Sequence, residues 1–260
     1  MALENKPFLL QGDPSRVCLL LHGLGGGAYE LQYLGEYLYQ LGWTVQGILY
    51  PGHDHPAPKM PASTWPQWYD HVLSTYHQLA QKYSEIVLVG LSTGCPLALH
   101  LASHHPVHKL VMLSPYLKLR SYWFYGLPLE VYLRSLGYLI PNVPRLRLPI
   151  FDRDKHKIAW KVSFYHSFNL AAVRSAMNLI ELVKPKLCMI ESPTLIIQPL
   201  QDTVVAPAGA QYLYDQLGSS EKELLWLENS DHVITLDRER DRVFHEVGEF
   251  LSSSRSKQNR

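Results

Sequence analysis

The chain has 260 residues, 47% of them hydrophobic and 18% charged, with a formal net charge of +1. This composition supplies apolar material for one sizeable core, excludes a chain disordered throughout, and leaves no overall basic footprint for nucleic acid. The three cysteines, Cys18, Cys95 and Cys188, lack metal-ligand spacing, and two of them sit in apolar strand or helix-start contexts, which predicts a reducing, cytoplasmic setting.

The first ten residues hold one lysine and no apolar run of signal length, and the longest strongly apolar runs, 17–21 and 86–89, are far too short to span a membrane. Residues 17–21 read as a strand, and Leu31, Leu34, Leu38 and Leu41 then fall at helical spacing. A strand over 44–49, a helix over 65–83 and a strand over 86–90 follow. The next helix begins near Thr93 with Pro96 in its first turn, where a missing N–H costs little, and 109–113 is the following strand. Strands alternating with helices predict a mostly parallel sheet covered on both faces.

That alternation stops at about residue 117. Residues 117–183 are rich in aromatics, including Tyr122, Trp123, Phe124, Tyr125, Trp160, Phe164, Tyr165 and Phe168, and read as a cap inserted between core halves 1–116 and 184–260. The cap holds ten Lys and Arg against four Asp and Glu, so it carries +6 and leaves −5 on the rest. Such charge forms either a solvated helix face or an attraction for anionic substrates or membrane surfaces. A strand over 194–198, a helix over 211–217 and a strand over 223–227 resume the pattern. Val243, Phe244, Val247, Phe250 and Leu251 mark one buried stripe of a last helix, and 252–260 is polar.

Chemistry concentrates where strands end. Gly90-Leu91-Ser92-Thr93-Gly94 is a G-x-S-x-G run between a strand and a helix start, which predicts a nucleophile turn with Ser92 at its apex. A hydroxyl needs a base, and among thirteen histidines His232 is the best placed, in a polar loop just after the last strand. Asp202 follows the 194–198 strand and fits as the acid that orients the imidazole, with Asp231 as its competitor. The glycines of His22-Gly23-Leu24-Gly25-Gly26 let a backbone N–H turn inward, so Leu24 and Thr93 are the expected oxyanion donors and His22 a loop-shaping residue. His53 and His55, flanking Asp54, read as a polar turn in preference to a metal cluster. No nucleotide-binding glycine motif is present.

With these motifs the chain resembles the α/β-hydrolase superfamily, and within it the small bacterial carboxylesterases close to monoacylglycerol lipases. The likeness runs through His22 to Gly26, Tyr50-Pro51-Gly52-His53, Gly90 to Gly94, Asp202 to Pro207 and Ser230 to Asp237. It implies the α/β-hydrolase fold, a Ser92, Asp202 and His232 triad, and oxyanion donors Leu24 and Thr93. The implied partner is a small-molecule ester of short to medium acyl chain, cleaved without metal or organic cofactor. Monoacylglycerol lipase and acyl thioesterase activity are the alternatives within enzymes, and a noncatalytic ligand-binding homologue is the alternative outside them. Such esterases often carry glycine where this chain has Asp231, a difference that bears on the pKa of His232.

Overall fold

The computed structural model describes residues 2–120, 131 and 140–253. Within them lie β1 (Phe8–Leu10), β2 (Arg16–Leu21), α1 (Gln32–Gln40), β3 (Thr44–Gly47), α2 (Trp65–Ala80), β4 (Glu85–Leu91), α3 (Gly94–Ala102) and β5 (Lys109–Leu113). Then come β6 (Asn142–Pro144), α4 (Arg153–Val162), β7 (Ser167–Asn169), α5 (Leu170–Val183), β8 (Thr194–Pro199), α6 (Ala208–Gln216), β9 (Lys222–Leu227) and α7 (Arg240–Ser252). Seven strands form one sheet in the order β1-β3-β2-β4-β5-β8-β9, with β1 antiparallel to β3 and every other pair parallel.

The middles of the central strands are unbroken apolar runs because both sides of the sheet are covered. Val17, Leu19, Leu21, Leu88, Leu110, Met112 and Ile196 face a core shared with α2, α3, α5 and α6. Their neighbours Cys18, Leu20, Val87, Val89, Val111, Leu113 and Ile197 face the opposite core, shared with α1 and α7. All five residues of the C-terminal stripe are buried there. Helix α2 begins where Thr64 and Gln67 close a capping box, with Pro66 in the first turn.

Most expected elements stand within a residue or two of their predicted bounds. The strand expected over 44–49 stops at Gly47, and the helix expected over 65–83 stops at Ala80. Strand β1 has no counterpart in the expectations, being a three-residue edge too short to show alternation. Inside 117–183, β6 pairs antiparallel with β7, and the buried side of α5 joins the core of α2 and α3. Tyr122, Trp123, Phe124 and Tyr125 lie outside the described residues. Among those described, no helix is long and apolar enough to cross a membrane.

The order of strands opens the site. From β2 the chain passes to β3 on one side, and from β4 it passes to β5 on the other, so the carboxyl ends of these adjacent strands leave a crevice between diverging loops.

Candidate active site

Ser92 stands at the end of β4 with φ +54°, a left-handed conformation that costs on the order of 1–3 kcal/mol in a non-glycine residue. Its surroundings hold it there. Ser92 N–H donates to the Leu113 carbonyl at 2.9 Å, and its own carbonyl accepts from Cys95 at 3.0 Å and Tyr116 at 3.3 Å. The tight turn folds α3 back against β4 and β2. A Cβ on Gly94 would overlap the Leu21 carbonyl oxygen, and one on Gly90 would lie 2.6 Å from the Gly94 carbonyl carbon. Glycine at 90 and 94 is therefore a steric requirement of the turn, and α3 then directs its positive N-terminal end toward the serine.

Two further strand ends complete a row. Nε2 of His232 lies 2.8 Å from Ser92 Oγ, and Nδ1 lies 2.8 Å from Asp202 Oδ2. Asp202 is fully buried; its Oδ1 accepts the Val204 and Val205 N–H groups at 2.8 Å, and Oδ2 accepts from Gln198 at 3.1 Å. The aspartate thus closes a turn with Oδ1 and faces the imidazole with Oδ2. Burial pulls the pKa of His232 down, but the charges of Asp202, Asp231 and Glu30 outweigh it and hold the ring above the usual imidazole value.

Asp231 is fully buried beside this row, and both nitrogens of the imidazole face Asp202 and Ser92 instead of it. Oδ1 accepts the N–H of His232, the N–H of Thr203 and the Thr203 hydroxyl, each at 2.9 Å, and Oδ2 faces Arg147 at 3.3 Å. Asp237 accepts the N–H groups of Phe151, Asp152, Asp231 and Arg238, and Glu239 accepts those of Glu228 and Asn229. The Ser114 hydroxyl donates to the His232 carbonyl at 2.7 Å.

The loop after β2 forms the opposite wall. Fully buried His22 has Nδ1 2.8 Å from the Gly23 carbonyl, and its own carbonyl accepts the Tyr50 hydroxyl at 3.1 Å. Burial and neighbouring His53 hold His22 well below the usual imidazole pKa, so it shapes the loop as a neutral ring. His53 accepts the Gly25 N–H at 3.1 Å and is pulled by burial to about 4, whereas His55 is exposed, so the two do not converge. Leu24 and Thr93 both line the cavity, and neither N–H has an acceptor among the described residues.

The cavity over Ser92 measures about 430 Å³. Leu119, Val143, Phe168, Leu170 and Val173 give it an apolar wall drawn from 117–183. Of the aromatics named above in 117–183, Phe168 is the one that lines it among the described residues. Tyr165 is buried in the core and Trp160 stacks on His166 at 4.1 Å, so these large rings pack the segment and do not line the cavity. Sequence reasoning missed Glu30, Arg145 and Arg147, which also line the cavity. The signal available for the arginines was their alternation with Val143 and Pro149.

The family model described as serine aminopeptidase, S33 matches residues 12–239. A carboxylesterase of Bacillus subtilis (strain 168) is 29% identical over 247 residues, covering 95% of this chain and 96% of its own. The thermostable monoacylglycerol lipase of Bacillus sp. (strain H-257) is 30% identical over 251 residues, covering 95% and 94%. A solved structure from work on the metagenome-derived lipolytic enzymes LipS and LipT superposes with a TM-score of 0.83 at 25% identity, over 96% of this chain and 98% of that one.

Proposed function

The chain belongs to the serine aminopeptidase S33 family and is a hydrolase with the α/β-hydrolase fold, and from that premise we propose that it cleaves carboxylic esters of short to medium acyl chain through an acyl-enzyme. Ser92 is the nucleophile in this reading, His232 the base and Asp202 the orienting acid. What carries it is the pair of 2.8 Å contacts from His232 to Ser92 and to Asp202 at the floor of an apolar-walled cavity. Ester cleavage, in preference to the peptide cleavage in the family's description, is supported by the carboxylesterase and lipase relatives that match over nearly their full lengths.

The chemistry follows from the positions of proton donors and acceptors. His232 Nε2 takes the Ser92 proton as Oγ attacks the ester carbonyl, while the Leu24 and Thr93 N–H groups receive the developing oxyanion. Asp202 stabilises the imidazolium and keeps Nδ1 protonated, so that Nε2 can hand its proton to the leaving alcohol. Water activated by the same nitrogen then releases the acid. No step in this sequence calls on a metal or organic cofactor. Residues 117–183 serve as the inserted cap that supplies the acyl wall, between core halves 1–116 and 184–260. The free cysteines, two buried and one exposed, support a reducing, cytoplasmic setting.

Hydrolysis of p-nitrophenyl esters of increasing chain length, beside monoacylglycerols, tests the reading in wild type and Ser92→Ala. Activity is expected to fall by about 10⁶-fold in the variant, with one phosphonate adduct on Ser92 of the wild type by mass spectrometry. Turnover that survives the substitution would overturn the nucleophile, and a preference for monoacylglycerols over simple esters would favour the lipase reading that the 30% identical relative supports.

A further inference from the structure

Val143, Arg145, Arg147 and Pro149 occupy alternate positions along the stretch running on from β6, and all four line the cavity. Two cations on an otherwise apolar wall require an explanation. Arg145 is 8% exposed; Nη1 donates to the Gly25 carbonyl at 3.0 Å, the guanidinium lies 4.9 Å from the centre of the Phe168 ring, and the buried Nε has no acceptor among the described residues. The Arg147 side chain is 55% exposed and reaches Asp231 at 3.3 Å.

Two carboxylates bear on this pair. Glu30 lines the cavity and accepts the N–H of Gly23 at 3.1 Å, with burial raising its pKa and Arg145 pulling it down. Asp231 stands outside the lining and already accepts from the N–H and hydroxyl of Thr203 and from the N–H of His232. It would keep those three bonds if Arg147 turned to another anion. The cavity lining therefore holds two guanidinium groups against one carboxylate, Glu30, and the half-exposed Arg147 stands within reach of an incoming anion.

We infer that the cavity takes esters whose leaving alcohol carries an anionic group, a carboxylate or a phosphate, received by Arg147 with Arg145 behind it. The inference rests on the ester-hydrolase reading above. The alcohol side follows from connectivity: Arg147 is joined through Asp231 to the backbone of His232, and His232 is the group that hands its proton to the departing alcohol.

Two matched pairs test the inference and separate the two anions. 4-Carboxyphenyl butyrate against 4-carbamoylphenyl butyrate varies a carboxylate; 1-butyrylglycerol 3-phosphate against 1-butyrylglycerol varies a phosphate. With each rate divided by that of alkaline hydrolysis, kcat/KM is expected to favour the anionic member of at least one pair by about tenfold, the scale of one charge-assisted hydrogen bond. Arg147→Gln should bring that ratio near one, and Arg147→Lys should retain part of it. Ratios at or below one in both pairs, or a preference that survives Arg147→Gln, would overturn the inference. Calorimetric binding of uncleavable 4-(butyrylamino)benzoate against its benzamide reads the subsite without turnover. Arg147-dependent preference for the benzoate in a protein that cleaves no ester would sink the ester reading and leave the anion subsite standing, whereas equal binding would remove the subsite.

Discussion

The loops carrying Ser92, Asp202 and His232 and the stretch carrying Arg145 and Arg147 face one cavity, yet they are held by different means. Each loop follows a strand of the main sheet and is fastened through its backbone, by Leu113 at Ser92, by the Asp202 carboxylate at Val204 and Val205, and by Asp231, Asp237 and Glu239 around His232. The stretch after β6 leaves a two-stranded ribbon with three residues per strand, and its arginines stand at the ends of long side chains. Backbone fastening fixes an atom regardless of most neighbouring side chains, whereas a guanidinium takes its position from whatever partners it finds. The comparison sets side chains on backbone-fastened loops against Arg147, a half-exposed side chain held by one ion pair.

The sharpest break of that contrast is Asp202→Asn, which keeps the shape but puts a neutral amide beside the imidazole. By analogy with serine proteases, kcat is expected to fall by about 10⁴-fold; near-normal turnover would hand the orienting role to Asp231. Next in size is Asp237→Ala, which strips the acceptor from four backbone N–H groups spanning the cap base and the His232 loop. Urea unfolding should show a loss of about 3 kcal/mol. Arg147→Gln should cost under about 1 kcal/mol, since its ion pair is half exposed. Equal losses would erase the distinction between the two regions.

The smallest expected effect concerns pH. His232 must be neutral to act as base, so with its pKa above 6.5 the rate is lost as pH falls through that raised value. Stability from the same shift runs the other way, being fully present below the unfolded value near 6.5 and lost as pH rises through the folded one. Asp231→Asn removes one of the charges that raise it, so the acid limb of kcat/KM should move to lower pH. An unmoved limb in the pH-rate profile would mean that Arg147 already cancels the charge of Asp231 at the imidazole.

Parts of this arrangement were legible because local sterics leave marks in sequence. The Ser92 turn demands glycine at 90 and 94, and strands buried on both faces demand unbroken apolar runs. His232 emerged from thirteen histidines because strand ends in a parallel sheet gather on one side. Residues 117–183 were less readable: their aromatics marked a break in the strand and helix pattern without showing where each ring goes, and Tyr165 and Trp160 serve packing while Phe168 alone of those described reaches the cavity. Strands β1, β6 and β7 have three residues each, too few for a period to show.

By itself, then, the sequence determined the alternation of strands and helices, the strained turn at Ser92, and the order in which serine, aspartate and histidine follow one another, because each depends on neighbours along the chain. Only the tertiary structure decided that Arg145 and Arg147 stand over that serine, that Asp231 joins one of them to the His232 loop, and that Glu30 is buried beneath the glycine-rich turn. Those contacts are made between segments far apart in the chain, and nothing in the local pattern of either segment encodes the other.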